Sequence, residues 1–164
     1  MKDMKQTFVE KLHECNQHKK RLLSAKRNLQ SLIPLSVDSY NNLSEENISF
    51  IDQMLFRFSK LQDTMGERVF PSILDLNAEN VKKMTSIDRL NRLEELELLD
   101  KNEWMQLRKE GNKIAHDYSF NQEEVVDSIN IIFSRIDNLI QIYTIIYNYC
   151  VNTFKFVKTS SILK

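Results

Sequence analysis

The chain has 164 residues, a length that fits one domain with a proper core. Lys plus Arg and Asp plus Glu number 23 each, so no global basic field exists to capture nucleic acid, and any RNA contact has to come from a local patch. Two glycines and two prolines occur where average usage would give about 11 and about 8, which speaks against a turn-rich sheet protein and for long helices.

Residues 2–32 read as the first helix, with Phe8, Leu12, Cys15, Leu22, Ala25, Leu29 and Leu32 at helical spacing. Pro34 ends it, and residues 36–42 read as a polar loop. Ser44 is the expected N-cap of a second helix, with Glu45 and Glu46 in its first turn, where negative charge suits the dipole. That helix carries Ile48, Ile51, Leu55, Phe58 and Leu61, and its polar residues include Asp52, Arg57 and Lys60. Residues 64–76 read as a short helix bent by Gly66 and Pro71. A periodic segment follows over 86–99, with Ile87, Leu90, Leu93, Leu96 and Leu99, and another over 104–116. Asn121 caps the last and longest helix, which the pattern extends to about Lys158. Its apolar band covers more than one face, so it reads as central to the fold, with a homodimer interface as the alternative. The expected fold is all-α: an up-and-down helical bundle of four long helices plus short ones, in a single domain over 1–164.

The bulk features narrow location and chemistry. The N-terminal MKDMKQTFVEKLHE is charged and has no apolar core, so no signal peptide is expected. The longest apolar stretch, 129–149, is broken by Arg135, Asp137, Asn138 and Gln141, so no membrane span is expected and the location reads as cytoplasmic. Cys15 and Cys150 lie far apart without metal-ligand spacing and read as two reduced thiols. His13 and His18 are five apart, which suits neither one helix face nor a metal pair, and no metal or other cofactor is expected. Tyr143, Tyr147 and Tyr149 read as core or interface residues, the Lys19–Lys20–Arg21 run with Lys26 and Arg27 as a solvated basic face, and Glu94, Glu95 and Glu97 as a solvated acidic one.

The informative stretch is EWMQLRKEGNKIAHDY, residues 103–118. Trp104, Leu107, Gly111 and Ile114 share one face of a helix, and Arg108, Asn112 and His116 share an adjacent stripe at i, i+4 spacing, with Lys109 and Lys113 beside it. A cation, an amide and an imidazole collected this way suit RNA cleavage without metal. Histidine titrates near neutrality and can take the proton from a 2′-hydroxyl. The arginine fork matches phosphate oxygens and can steady the charge on the phosphorane. Spacing alone favours the plainer reading, a helix-terminal histidine suited to the dipole and a solvated arginine.

The segment LRKEGNKIAHDY resembles the signature of HEPN domains, an arginine separated by four to six residues from a histidine. The nearest likeness is to HEPN toxins paired with small nucleotidyltransferase antitoxins, where the segment reads Trp, then Leu–Arg–x–x–Arg–Asn–x–x–Ala–His–x–Tyr. The segments FRFSKLQDTMGERVFPSILDL and SIDRLNRLEELELLDKNEWMQLR also look like their counterparts there. The resemblance implies an all-α bundle that forms a homodimer with an RNA-facing cleft. It also implies a metal-independent endoribonuclease activity and a cognate nucleotidyltransferase antitoxin as partner. By carry-over, His116 is the catalytic histidine, Asn112 the polar residue beside the family's arginine, and Tyr118 a tyrosine that such a partner can adenylylate. Adenylylation would add phosphate charge beside the cleft and repel RNA. Arg108 completes the expected catalytic set, and Lys109 and Lys113 are expected to bind substrate.

One departure stands out. Gly111 occupies the place of the arginine expected immediately before Asn112. A glycine inside a helix costs up to about 1 kcal/mol relative to alanine, so it brings no evident gain in folding. Three readings remain: Arg108 reaches the site from one turn earlier, Lys109 supplies a weaker cation, or the chain is an attenuated or inactive relative. The alternative function is a non-catalytic HEPN binding module that associates with a nucleotidyltransferase or nucleotide.

Overall fold

The computed structural model describes residues 3–116 and 120–164, with the side chains of 115 and 116 left out of the description. Within that range the protein is all-helical, with no strands. Eight α-helices follow in order: α1 (Met4–Leu29), α2 (Val37–Asn41), α3 (Glu45–Thr64), α4 (Phe70–Leu76), α5 (Ser86–Glu95), α6 (Lys101–His116), α7 (Gln122–Thr153) and α8 (Lys155–Lys158). The expected bundle is thus observed, and α1, α3, α6 and α7 are its four long members, with 26, 20, 16 and 32 residues.

Local chemistry sets most boundaries. Ser44 accepts from the Asn47 amide at the start of α3, and Asn121 from the Glu123 amide at the start of α7, as the sequence predicts. Asp100 caps α6 by accepting from the Glu103 amide at 2.9 Å. Thr85 and Asp88 bond each other's backbone amides in a capping box that opens α5.

Three departures from expectation change the course of the chain. The stretch read as a polar loop contains α2, because Ser36 and Ser39 form a capping box that nucleates a short helix. Helix α5 stops at Glu95 rather than near Leu99: Glu97 adopts φ 61°, and the Leu98 amide bonds back to the Leu93 carbonyl at 3.0 Å. That reversal still lets Leu98 and Leu99 reach the core. The last helix breaks at Phe154, which turns extended (φ −108°, ψ 106°) before α8 resumes. The break drives the Phe154 ring inward, edge-on to Phe8 and Tyr149 with centroids 6.1 Å away in both cases.

Buried apolar side chains from α1, α3, α4, α5, α6, α7 and α8 join in one cluster. Helix α7 is central to it, packing against α1, α2, α3, α6 and α8. Tyr143 is a core residue whose hydroxyl donates to the Leu12 carbonyl at 3.1 Å and meets Asn16 Oδ1 at 2.5 Å. Ile131 and Ile145 stay exposed on the outer side of α7. Cys15 and Cys150 are both buried free thiols, and burial pushes the Cys150 thiol up to about 12. Among the described residues no helix is long and apolar enough to cross a membrane.

Candidate functional site

The site is shaped by the way α6 lies on α3. Trp104 meets Gly66, Gly111 meets Gln62, and Ile114 shares a small cavity with Leu55, so the two helices run antiparallel. At the end of α3 the chain passes through one π-helical turn, Met65–Val69, before α4. Such turns displace a helix face outward and recur at functional sites. Gly66 lies in this turn, and a Cβ there would stand 3.3 Å from the indole of Trp104. The indole is buried and also faces the Phe70 ring, centroid to centroid 4.7 Å. Together these contacts hold α6 close to the π-turn and leave an open groove beside it.

The groove has a volume of about 520 Å³. Its walls are Gly66 and Glu67 of the π-turn, Ser86, Arg89 and Leu90 of α5, and Trp104, Met105, Arg108, Lys109 and Asn112 of α6. The floor is apolar and the rim is charged, with three cations against one carboxylate. The Nε of Arg89 is shielded from solvent and has no hydrogen-bond partner among the described residues. Asn112 and Lys109 are exposed, whereas Arg108 is half-buried. The Arg108 guanidinium donates to Asp63 Oδ1 at 2.6 Å, across from α6 to α3. On the opposite flank of α6, Glu110 accepts two bonds from Arg135 of α7, at 3.0 and 3.3 Å, which fixes the rotation of α6 about its axis.

The structure thus brings together Arg108, Lys109 and Asn112 of the residues singled out by sequence. Lys113 is exposed but is not part of the groove wall. His116 is the last residue of α6, and its side chain lies outside the described residues, as does Tyr118 altogether. Sequence reasoning missed Arg89, Glu67 and Asp63 as site residues. All three fall inside the two flanking segments that carried the wider resemblance, but only the packing of α5 and the π-turn against α6 makes them neighbours of Arg108.

Gly111 needs a correction. It is buried, and it faces Gln62 of α3 rather than the groove. A Cβ at 111 would collide with Gln62 Oε1 and stand 3.0 Å from Gln62 Cδ. Gln62 is fully buried, so its carboxamide has little space to retreat. The glycine therefore does serve the fold: it permits the close approach of α6 to α3. An arginine at this position would start toward the core, not toward the groove beside Arg108.

Elsewhere, His18 is buried between α1 and α3. Arg57 can only donate, so its Nη1, 3.0 Å from His18 Nδ1, requires the tautomer with the proton on Nε2, facing Glu14 Oε1 at 3.6 Å. Burial and then the Arg57 charge hold the His18 pKa below the ordinary histidine value. Among the described residues no group of three or more His, Cys, Asp or Glu side chains could hold a metal ion. In comparisons with known proteins, no family model matches the chain, and no curated protein or solved structure matches it.

Proposed function

We propose that this chain is a HEPN-type, toxin-like protein of a toxin–antitoxin pair, an attenuated relative of the metal-independent endoribonucleases, whose α5–α6 groove receives RNA. The observation that carries this reading is the meeting of Arg108, Lys109 and Asn112, three residues of the motif-like segment, with Arg89 in one groove. A phosphodiester offers this cation-rich rim an anion with several acceptor oxygens. Arg89 and exposed Lys109 add two cations to the rim beside Arg108. His116, at the end of the same helix, is the residue assigned to move the 2′-hydroxyl proton. The expected assembly is a homodimer that presents two such grooves, with a nucleotidyltransferase antitoxin acting on Tyr118.

A second reading is favoured by Gly111. Residue 111 is a glycine and supplies no guanidinium, and Arg108 is engaged by Asp63. Under this reading the groove binds RNA or a nucleotide without cutting it.

Cleavage separates the two. The purified protein is incubated with RNA in EDTA beside His116→Ala, and binding is measured in parallel. Slow cleavage that His116→Ala abolishes supports the attenuated nuclease. Binding with no cleavage by either protein supports the binding module. Neither binding nor cleavage removes the RNA reading. Growth arrest on expression, relieved by a nucleotidyltransferase encoded beside this gene, would test the toxin role.

A further inference from the structure

The outer face of α3 carries an aromatic ring that the core does not use. Phe56 is 52% exposed. It is attended by two cations: Arg57 Cζ lies 5.3 Å and Lys60 Nζ 5.8 Å from its centroid. Arg57 is drawn inward to His18, so Lys60 is the cation left facing solvent.

Phe56, Lys60 and Asp63 stand at i, i+4 and i+7, on one face of α3. Asp63 is the residue held by Arg108 of the groove. The antiparallel course of α6 continues this line: Arg108 lies beside Asp63, and two turns on, Ile114 lies at the level of Leu55, the neighbour of Phe56. Phe56 therefore stands on the same face of α3 as Asp63, the residue that meets Arg108 of the groove, and about two turns of α3 away from it. Seven residues of helix separate Asp63 from Phe56, a distance of ~10 Å.

We propose that Phe56 is a stacking platform for an unpaired base of a single-stranded RNA whose phosphates lie in the Arg89–Arg108–Lys109 groove, with Lys60 holding the intervening phosphate. This rests on the reading of the groove as an RNA interface. The chemistry selects this occupant. A lone apolar ring set among Asp52, Arg57 and Lys60 is too small an apolar area to anchor a protein partner, which needs several hundred Å² on each side. A base needs one ring face and a nearby cation, and both are present. Double-stranded RNA keeps its bases paired and cannot offer one to the ring.

The test uses the full chain and a short fluorescent single-stranded RNA with 2′-O-methyl groups, which cannot be cut. Affinity and its salt dependence are measured for the starting protein, Phe56→Leu, Phe56→Trp, and Lys109→Ala as the groove control. Light scattering reports the assembly state of each. Phe56→Leu should weaken binding by about five-fold or more with an unchanged salt slope, and Phe56→Trp should retain it. An abasic strand should bind as weakly to the starting protein as the normal strand binds to Phe56→Leu. Lys109→Ala should instead lower both affinity and salt slope. If Lys109→Ala weakens binding but Phe56→Leu does not, the platform is refuted and the groove reading survives. If Phe56→Leu changes the assembly state, Phe56 belongs to an interface between copies and the proposal fails. If the starting protein binds no RNA, the groove reading and the platform fall together.

Discussion

Gln62 lies across the bare Cα of Gly111, with its carboxamide nitrogen 3.5 Å from the point where a Cβ would stand. Both polar atoms of Gln62 are buried without hydrogen-bond partners among the described residues, a costly arrangement for an amide. The two residues fit each other: the glycine makes room for the amide, and the amide fills the notch that the glycine leaves.

Gly111→Ala should therefore destabilise the protein despite the better helix propensity of alanine. Propensity favours the change by up to about 1 kcal/mol, while overpacking a full core costs typically 1–3 kcal/mol. Thermal unfolding should show a lower Tm. Adding Gln62→Ala should restore much of it, because the shorter side chain clears the collision and removes two unpaired polar atoms. Equal losses in Gly111→Ala with and without Gln62→Ala would show that the two positions do not couple. Gly111→Arg should fold worse than Gly111→Ala, since it starts a charged side chain in the core.

Asp63 competes with any anionic ligand for Arg108. Asp63→Asn should free the guanidinium and strengthen RNA binding in titrations at low salt, with a steeper salt dependence. Arg108→Ala should do the reverse, flattening the salt slope by about 0.7 for the single-strand phosphate contact that it loses. If Asp63→Asn binds RNA no better than the starting protein, Arg108 does not meet the ligand.

His18 makes stability depend on pH. Its pKa is lowered in the folded state, first by burial and then by Arg57, so the unfolded chain binds the proton more readily. Its contribution is fully present above the ordinary histidine value of about 6.5 and is lost as pH falls through it. Glu14, Arg57 and Lys60 are the charged groups that face the ring, and only Glu14 favours its protonation. Denaturant midpoints should fall between about pH 7 and 5, and His18→Gln should flatten that part of the curve. An unchanged slope in His18→Gln would assign the effect to other groups.

Tyr143→Phe removes a buried hydroxyl and leaves the Leu12 carbonyl and Asn16 without its bond. The expected loss is about 1 kcal/mol in chemical denaturation, with the fold retained. No loss would mean that neighbouring groups satisfy the two acceptors.

The helices were legible because their causes are local. Periodic apolar residues, Ser44 and Asn121 at their caps, and the scarcity of glycine and proline all act within a few residues of each other. The helix α2, the left-handed Glu97 and the break at Phe154 were less legible. The capping box at Ser36 could have been read from its spacing. The other two depend on where Leu98, Leu99 and Phe154 find their core partners, which is a property of the packed bundle.

The segment 103–118 was found from sequence because its residues share one helix, and a helix turns spacing into a stripe. Its groove was not, because the walls come from three elements that only packing joins. Sequence by itself determined the helical class, the inward face of α6 and the candidates Arg108, Lys109 and Asn112. Tertiary structure decided that Arg89 and Glu67 join them, that Asp63 restrains Arg108, and that Gly111 faces Gln62. The physical reason is the range of each interaction: hydrogen-bonded helix turns and caps act over about four residues, whereas the contacts that make a groove act across tens of residues of chain.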